Sequence, residues 1–199
     1  MKIAPFWALV FSLTACAPTR YYSLAVQPPI HREAAPGAPV SVAGVVLPPG
    51  FNHLSLTRFQ SLTHVLVSAR SRWVSSPQKL CREVLAEDLA QRLSKTIVLL
   101  PGQSAPGHLR ALHIVIDRFV PTKKHQVLLR AHWSVSGSAA ANGTARIIVD
   151  GSIRAATEAQ VMSQALARLA SVISWRLAQA SHGVALSPQI PTPPRDTVF

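Results

Sequence analysis

Acidic residues are scarce in this chain. Its 199 residues carry only 8 Asp and Glu against 20 Lys and Arg, a formal net charge of +12. So few acids leave little material for paired-carboxylate catalysis, and the basic excess favours an anionic partner. Cysteine is scarcer still, and 2 residues exclude a disulfide scaffold. Charged residues make up 14% and hydrophobic residues 48%, which excludes disorder as the main state. With 16 prolines and 9 glycines, irregularly spaced, the chain is no collagen or low-complexity fibre. No apolar run reaches the about 20 residues that a membrane-spanning helix needs. What remains suits one compact domain with tails.

The N-terminus points to a compartment. Met1-Lys2 is a short basic region, and Ile3 to Leu13 is an apolar run broken only by Pro5 and Ser12. That is long enough for the core of a signal peptide and too short to cross a bilayer. It ends in Leu13-Thr14-Ala15-Cys16, similar to the bacterial lipobox. There the small residues admit a peptidase, and the cysteine sulfur takes a diacylglycerol. The alternative is an ordinary secretory signal with a chance cysteine. On the lipobox reading, residues 1–15 are the signal peptide, 16–20 a lipidated tether, 21–183 the folded domain and 184–199 a proline-rich tail. The attached diacylglycerol and N-acyl chains on Cys16 make the anchor stable, since one chain alone binds a membrane only marginally. Ala17, where an aspartate signals inner-membrane retention in enterobacterial lipoproteins, permits transfer to the outer membrane. Cys81 then has no partner in the chain. Its neighbours Leu80, Val84 and Leu85 mark it as a small buried hydrophobe.

Along the domain, Tyr21 to Leu24 is β-prone, and 27–39 is a loop with four prolines. Val40 to Leu47 and His64 to Ser68 are expected strands. Ser76-Pro77 opens a helix, with serine at the N-cap and proline at the first helical position. Leu80, Val84, Leu85, Leu89 and Leu93 share its apolar face, with Asp88 close by. Thr96 to Leu100 is a further strand. Leu109 to Phe119, Gln126 to Val135 and Thr144 to Ile153 form a β-meander, the second of them strictly alternating. Thr157 and Gln160 fit a capping box for the longest helix, which Gly183 stops. Leu166, Leu169, Ile173 and Leu177 lie on its apolar stripe. These elements predict an α+β fold: a mixed, mostly antiparallel sheet with two helices packed on one face.

No G-x-S-x-G elbow, Walker loop, H-E-x-x-H or C-x-x-C occurs. The histidines are scattered. His113 and His132 are placed to face each other across adjacent strands, a poor zinc site without a carboxylate or thiolate. We expect no enzyme activity, no metal and no cofactor beyond the covalent lipid. Positive charge comes in acid-free blocks. Arg58, Arg70, Arg72, Lys79 and Arg82 lie between Glu33 and Glu83; Arg118, Lys123, Lys124, Arg130 and Arg146 lie between Asp117 and Asp150. Arg130 and His132 on the polar face of their strand, with Lys123 and Lys124 in the preceding turn, are the candidate interface. Either they face anionic phospholipid, lipopolysaccharide or an acidic partner, or they belong to a generally basic surface. Nucleic acid is disfavoured by the compartment and by the lack of an aromatic stacking platform.

The order of motifs resembles a family. After the lipobox come Tyr21-Tyr22-Ser23-Leu24, Val45-Val46-Leu47-Pro48, Trp73 before Leu85-Ala86-Glu87-Asp88-Leu89, then Ile116-Asp117-Arg118-Phe119, Leu129-Arg130-Ala131-His132-Trp133 and Met162-Ser163-Gln164-Ala165-Leu166. This is similar to the ABC-transport auxiliary lipoproteins of the PqiC and YmbA type, over about residues 13 to 180. The resemblance implies a non-catalytic lipoprotein on the periplasmic face of the outer membrane. Its implied partners are an MCE-domain protein with inner-membrane permease and ATPase components, in a system that moves lipid between membranes. It also implies a capacity for homo-oligomeric rings. The segment 51–63 departs from the family pattern, keeping only Arg58, and the tail after Gly183 is extra. The competing class is an envelope-assembly accessory lipoprotein that binds lipopolysaccharide or a peptidoglycan synthase.

Overall fold

The structure is a computed structural model that describes residues 18–59, 64–104, 107–121, 126–150 and 155–182. Its main sheet has five strands: β3 (Val40–Val46), β7 (Val98–Leu99), β8 (Arg110–Pro121), β9 (Gln126–Val135) and β10 (Gly143–Asp150), in the order β10-β9-β8-β3-β7. Strands β8, β9 and β10 form the expected antiparallel meander, whereas β3 runs parallel to both β8 and β7. Two smaller sheets accompany it. One orders β1 (Arg20–Tyr22), β5 (Val65–Trp73) and β4 (Ser55–Phe59) as β1-β5-β4; the other pairs β2 (Glu33–Ala34) with β6 (Leu93–Ser94). The longest ladders are antiparallel, so the expected α+β class holds.

Both helices, α1 (Pro77–Arg92) and α2 (Ala155–Ser181), pack on one face of the main sheet and against each other. Helix α1 begins as the sequence predicts. Ser76 caps it by accepting a hydrogen bond from the Lys79 amide at 3.3 Å, and Pro77 occupies the first turn. It stops at Arg92, so Leu93 leaves the helix, stays buried and enters β6. Helix α2 starts at Ala155, two residues before Thr157. Thr157 therefore lies inside the first turn and is not its cap.

The core forms between the sheet and the helices. Val40, Val42 and Val45 of β3, Leu112, Ile114 and Ile116 of β8, and Val127, Leu129, Ala131, Trp133 and Val135 of β9 are all buried. They meet Leu85 and Leu89 of α1 and Leu166, Leu169, Ile173 and Leu177 of α2. Trp133 fixes one corner: its indole N–H donates to the Ala141 carbonyl at 2.9 Å. Gly143 stands opposite it in the ladder, and a Cβ there would come within 2.5 Å of the ring, so only glycine leaves room for the indole. Trp73 is also buried, and Phe51 stacks on Phe119 with 5.8 Å between ring centroids.

The segment after β1 is tied to both helices. Leu24 is buried, and the Ala25 amide donates to Ser163 Oγ of α2 at 3.0 Å. The Gln27 amide donates to Asp88 Oδ1 of α1 at 3.1 Å. Arg92 completes the tie: it donates to Asp88 Oδ1 at 2.8 Å, to Ser171 Oγ at 3.0 Å and to the Gln27 carbonyl at 3.3 Å. A buried ion pair of this kind is weak support for net stability, but removing one partner would strand the other charge. Its bonds run to three different segments, so it fixes how they dock.

Candidate functional site: the open face of the main sheet

Alternation along each strand divides the main sheet into a covered face and an open one. On β9, Leu128, Arg130, His132 and Ser134 point away from the helices, and Arg130, His132 and Ser134 are exposed. On β10 the open-face residues are Thr144, Arg146, Ile148 and Asp150. On β8, His113 and Val115 follow the same rule until a bulge between Ile116 and Arg118 breaks it. Continued alternation would have sent Arg118 into the core with Ile116. The bulge instead turns both Asp117 and Arg118 outward, while Phe119 returns to the core. A bulge of this type opposes two residues on one strand to a single residue on the other.

The register then places three arginines in one row. Arg118 of β8 stands opposite Arg130 of β9, and Arg130 stands opposite Arg146 of β10. All three are exposed, and among the described residues none has an ion-pair or hydrogen-bond partner for its guanidinium group. Beside this row lies an apolar one, in which Leu128 faces Ile148 across β9 and β10. On the other side His132 is paired with Asp117, Nδ1 to Oδ2 at 3.1 Å, and faces Thr144. Asp150 accepts a hydrogen bond from Gln126 Nε2 at 2.8 Å. Both carboxylates of this face are thus engaged, Asp117 beside the arginine row and Asp150 at the end of β10.

Of the candidate interface residues, the structure brings Arg130 and His132 together on this face. Lys123, Lys124 and Cys16 lie outside the described residues, as do the lipobox and the tail. His113 does not face His132: it stands opposite Ser134, and His132 stands opposite Val115. The partner of His132 is the Asp117 carboxylate, which the sequence did not associate with it. Arg146 was legible, since Ile147 and Val149 mark the inward phase of β10. Arg118 was not, because no local signal announces the bulge.

Elsewhere the titratable groups are structural. Burial pushes the Cys81 thiol up to about 12 and keeps it protonated. Burial also raises the Asp88 carboxyl above its usual range, opposed by the Gln27 amide and Arg92. Arg110 is lowered by burial and donates twice to the Ala38 carbonyl. A shallow cleft of about 300 Å³ lies between β3 and the start of α1, lined by Gly44, Ser76, Lys79, Arg82 and Glu83. Arg82 is occupied there, donating to the Val42 carbonyl at 2.9 Å. No group of three or more His, Cys, Asp or Glu able to hold a metal occurs among the described residues. No helix among them is long and apolar enough to cross a membrane.

Residues 22–174 match the model of a family described as the ABC-type transport auxiliary lipoprotein component. The chain belongs to that family. The match begins at the last residue of β1 and covers every strand of the main sheet, all of α1 and most of α2. Solved structures of other proteins share this fold, among them two crystal structures. Protein XCC0632 from Xanthomonas campestris has a TM-score of 0.59 at 13% identity, covering 84% of this chain and 98% of that one. The other, of a protein described as uncharacterized, has a TM-score of 0.58 at 12% identity, covering 81% of this chain and 99% of that one. No curated protein matches the chain in sequence.

Proposed function

We propose that this family member is a non-catalytic subunit of a system that carries lipid between the two membranes of a bacterial envelope. It is held at the periplasmic face of the outer membrane by acyl chains on Cys16. It docks an MCE-domain partner whose inner-membrane permease and ATPase components supply the driving energy. The family match over residues 22–174 carries this reading. The lipobox Leu13-Thr14-Ala15-Cys16 and the open, basic sheet face agree with it, the first as anchor and the second as contact surface. Only a few residues separate Cys16 from β1, so the anchor holds the domain close to its membrane.

A photo-crosslinking residue placed at Ser134, on the open face but outside the arginine row, tests the docking. Crosslinking in intact envelopes followed by mass spectrometry should recover an MCE-domain protein. Cys16→Ala should remove palmitate labelling and release the protein from the outer-membrane fraction. Recovery of a peptidoglycan synthase or of lipopolysaccharide-assembly proteins instead would move the chain to the competing class of envelope-assembly lipoproteins.

A further inference from the structure

The row Arg118–Arg130–Arg146 needs a physical explanation of its own. Residues directly opposite in an antiparallel ladder lie about 4.5–5.5 Å apart at their Cα atoms. Like charges placed so are destabilising. Two adjacent ladders repeat the arrangement here, with no carboxylate at ion-pair distance among the described residues. The two acids of the face are turned to His132 and Gln126 rather than to the arginines. The fold thus concentrates three guanidinium groups on one patch, none of them in an ion pair among the described residues.

The chemistry of the patch defines what compensates it. Guanidinium groups present planar forks of donors that fit the oxygens of a phosphate in bidentate fashion, and three in a row surround one such group. The neighbouring row is apolar, with Ile148 40% exposed and Leu128 half-buried opposite it. A ligand that satisfies both rows carries a phosphate at one end and hydrocarbon directly beyond it. An acidic peptide would satisfy the arginines, but its polar backbone would lie on the Leu128–Ile148 row.

We propose that the open face of the main sheet binds an anionic glycerophospholipid, with Arg118, Arg130 and Arg146 holding its phosphate and Leu128 and Ile148 meeting the first methylenes of its acyl chains. The site deepens the transport role proposed above and rests on that role for its biological meaning; its geometry stands alone. The three side chains receive the headgroup of the lipid being carried.

The test uses the full-length lipidated protein in a non-ionic maltoside detergent, titrated calorimetrically with dihexanoyl phosphatidylglycerol. Dihexanoyl phosphatidylcholine, glycerol 3-phosphate and an oligoglutamate peptide are the comparison ligands. Phosphatidylglycerol should bind at least about tenfold more tightly than each of the others, and Arg130→Gln should weaken it by a similar factor. The double variant Arg118→Gln/Arg146→Gln should do the same, and Arg130→Lys should fall between. Without ligand, Arg130→Gln should melt no lower than the wild type at low salt, because it relieves repulsion. That readout separates a binding residue from a structural one. Unchanged affinity in both glutamine variants would overturn the site. So would an oligoglutamate that binds more tightly than phosphatidylglycerol, or a glycerol 3-phosphate that binds equally well. Recovery of the MCE-domain partner by crosslinking at Ser134 does not depend on these outcomes, so the two readings fail separately.

Discussion

Cys81 shows how one side chain carries a measurable consequence of the fold. It sits in the second turn of α1 with no accessible surface, and burial pushes its thiol up to about 12. In the unfolded chain a cysteine thiol ionises near 8.5. The folded state therefore holds this proton more tightly. Its contribution to stability is fully present below the unfolded value and is lost as pH rises toward 12. The stability of the wild type relative to Cys81→Ala should accordingly decline in urea titrations between about pH 9 and 11. At pH 8, iodoacetamide should label Cys81 slowly in buffer and quickly in urea; rapid labelling of the native protein would contradict its burial. This residue was legible because its neighbours at helical spacing are apolar. The Asp88–Arg92 pair was half legible. The wheel places Asp88 beside the apolar stripe, but nothing local reveals that the Gln27 amide and Ser171 complete its bonding. Arg118 was illegible for a different reason: a single-residue bulge inverts the phase of every position after it.

Among the elements, periodicity was reliable where it was long. Strand β9 alternates without exception over ten residues, and its limits, Gln126 and Val135, match those expected. Strand β4 was missed. Its five residues follow a turn-like stretch around Asn52 and His53, and its clearest anchor is one buried leucine, Leu56. The two-residue pairing of β2 with β6 has no sequence signal at all, since tertiary contact alone creates it. The phase of α2 offers a direct test. Leu169 has no accessible surface, whereas Arg168, one position round the helix, is exposed and donates to the Ile148 carbonyl at 2.6 Å. Leu169→Ala should cost about 2–5 kcal/mol. Arg168→Ala should cost less than about 1 kcal/mol, the value of a single exposed hydrogen bond. Comparable losses in thermal melts would mean that the apolar stripe is wrongly phased.

At the scale of the whole molecule, the unfinished part is the small sheet. Successive side chains on a strand point to opposite faces. Yet Leu66 and Val67 of β5 are both exposed, at 43% and 60%, so among the described residues neither face is covered there. Strand β1 pairs with β5 only at Ser71–Trp73, so the edge of β5 at Leu66–Ser68 has no second neighbour among the described residues. Tyr21 and Val74 add further exposed apolar surface where β1 meets the end of β5. An unpaired edge with apolar side chains on both faces is an invitation to another strand. A second copy of this chain is the occupant that the ring implied by the family resemblance would require, and such a ring would also repeat each arginine row around one axis. Repetition gives avidity for an extended anionic surface without a strong single site. Protein freed of residues 1–16 should therefore scatter light as an oligomer at tens of micromolar. Val67→Asp should shift it toward the monomer and leave the melting temperature within a few degrees, because Val67 packs little within its own chain. A wild type that is monomeric at that concentration would remove the ring. An oligomer indifferent to Val67→Asp would move the contact away from this sheet.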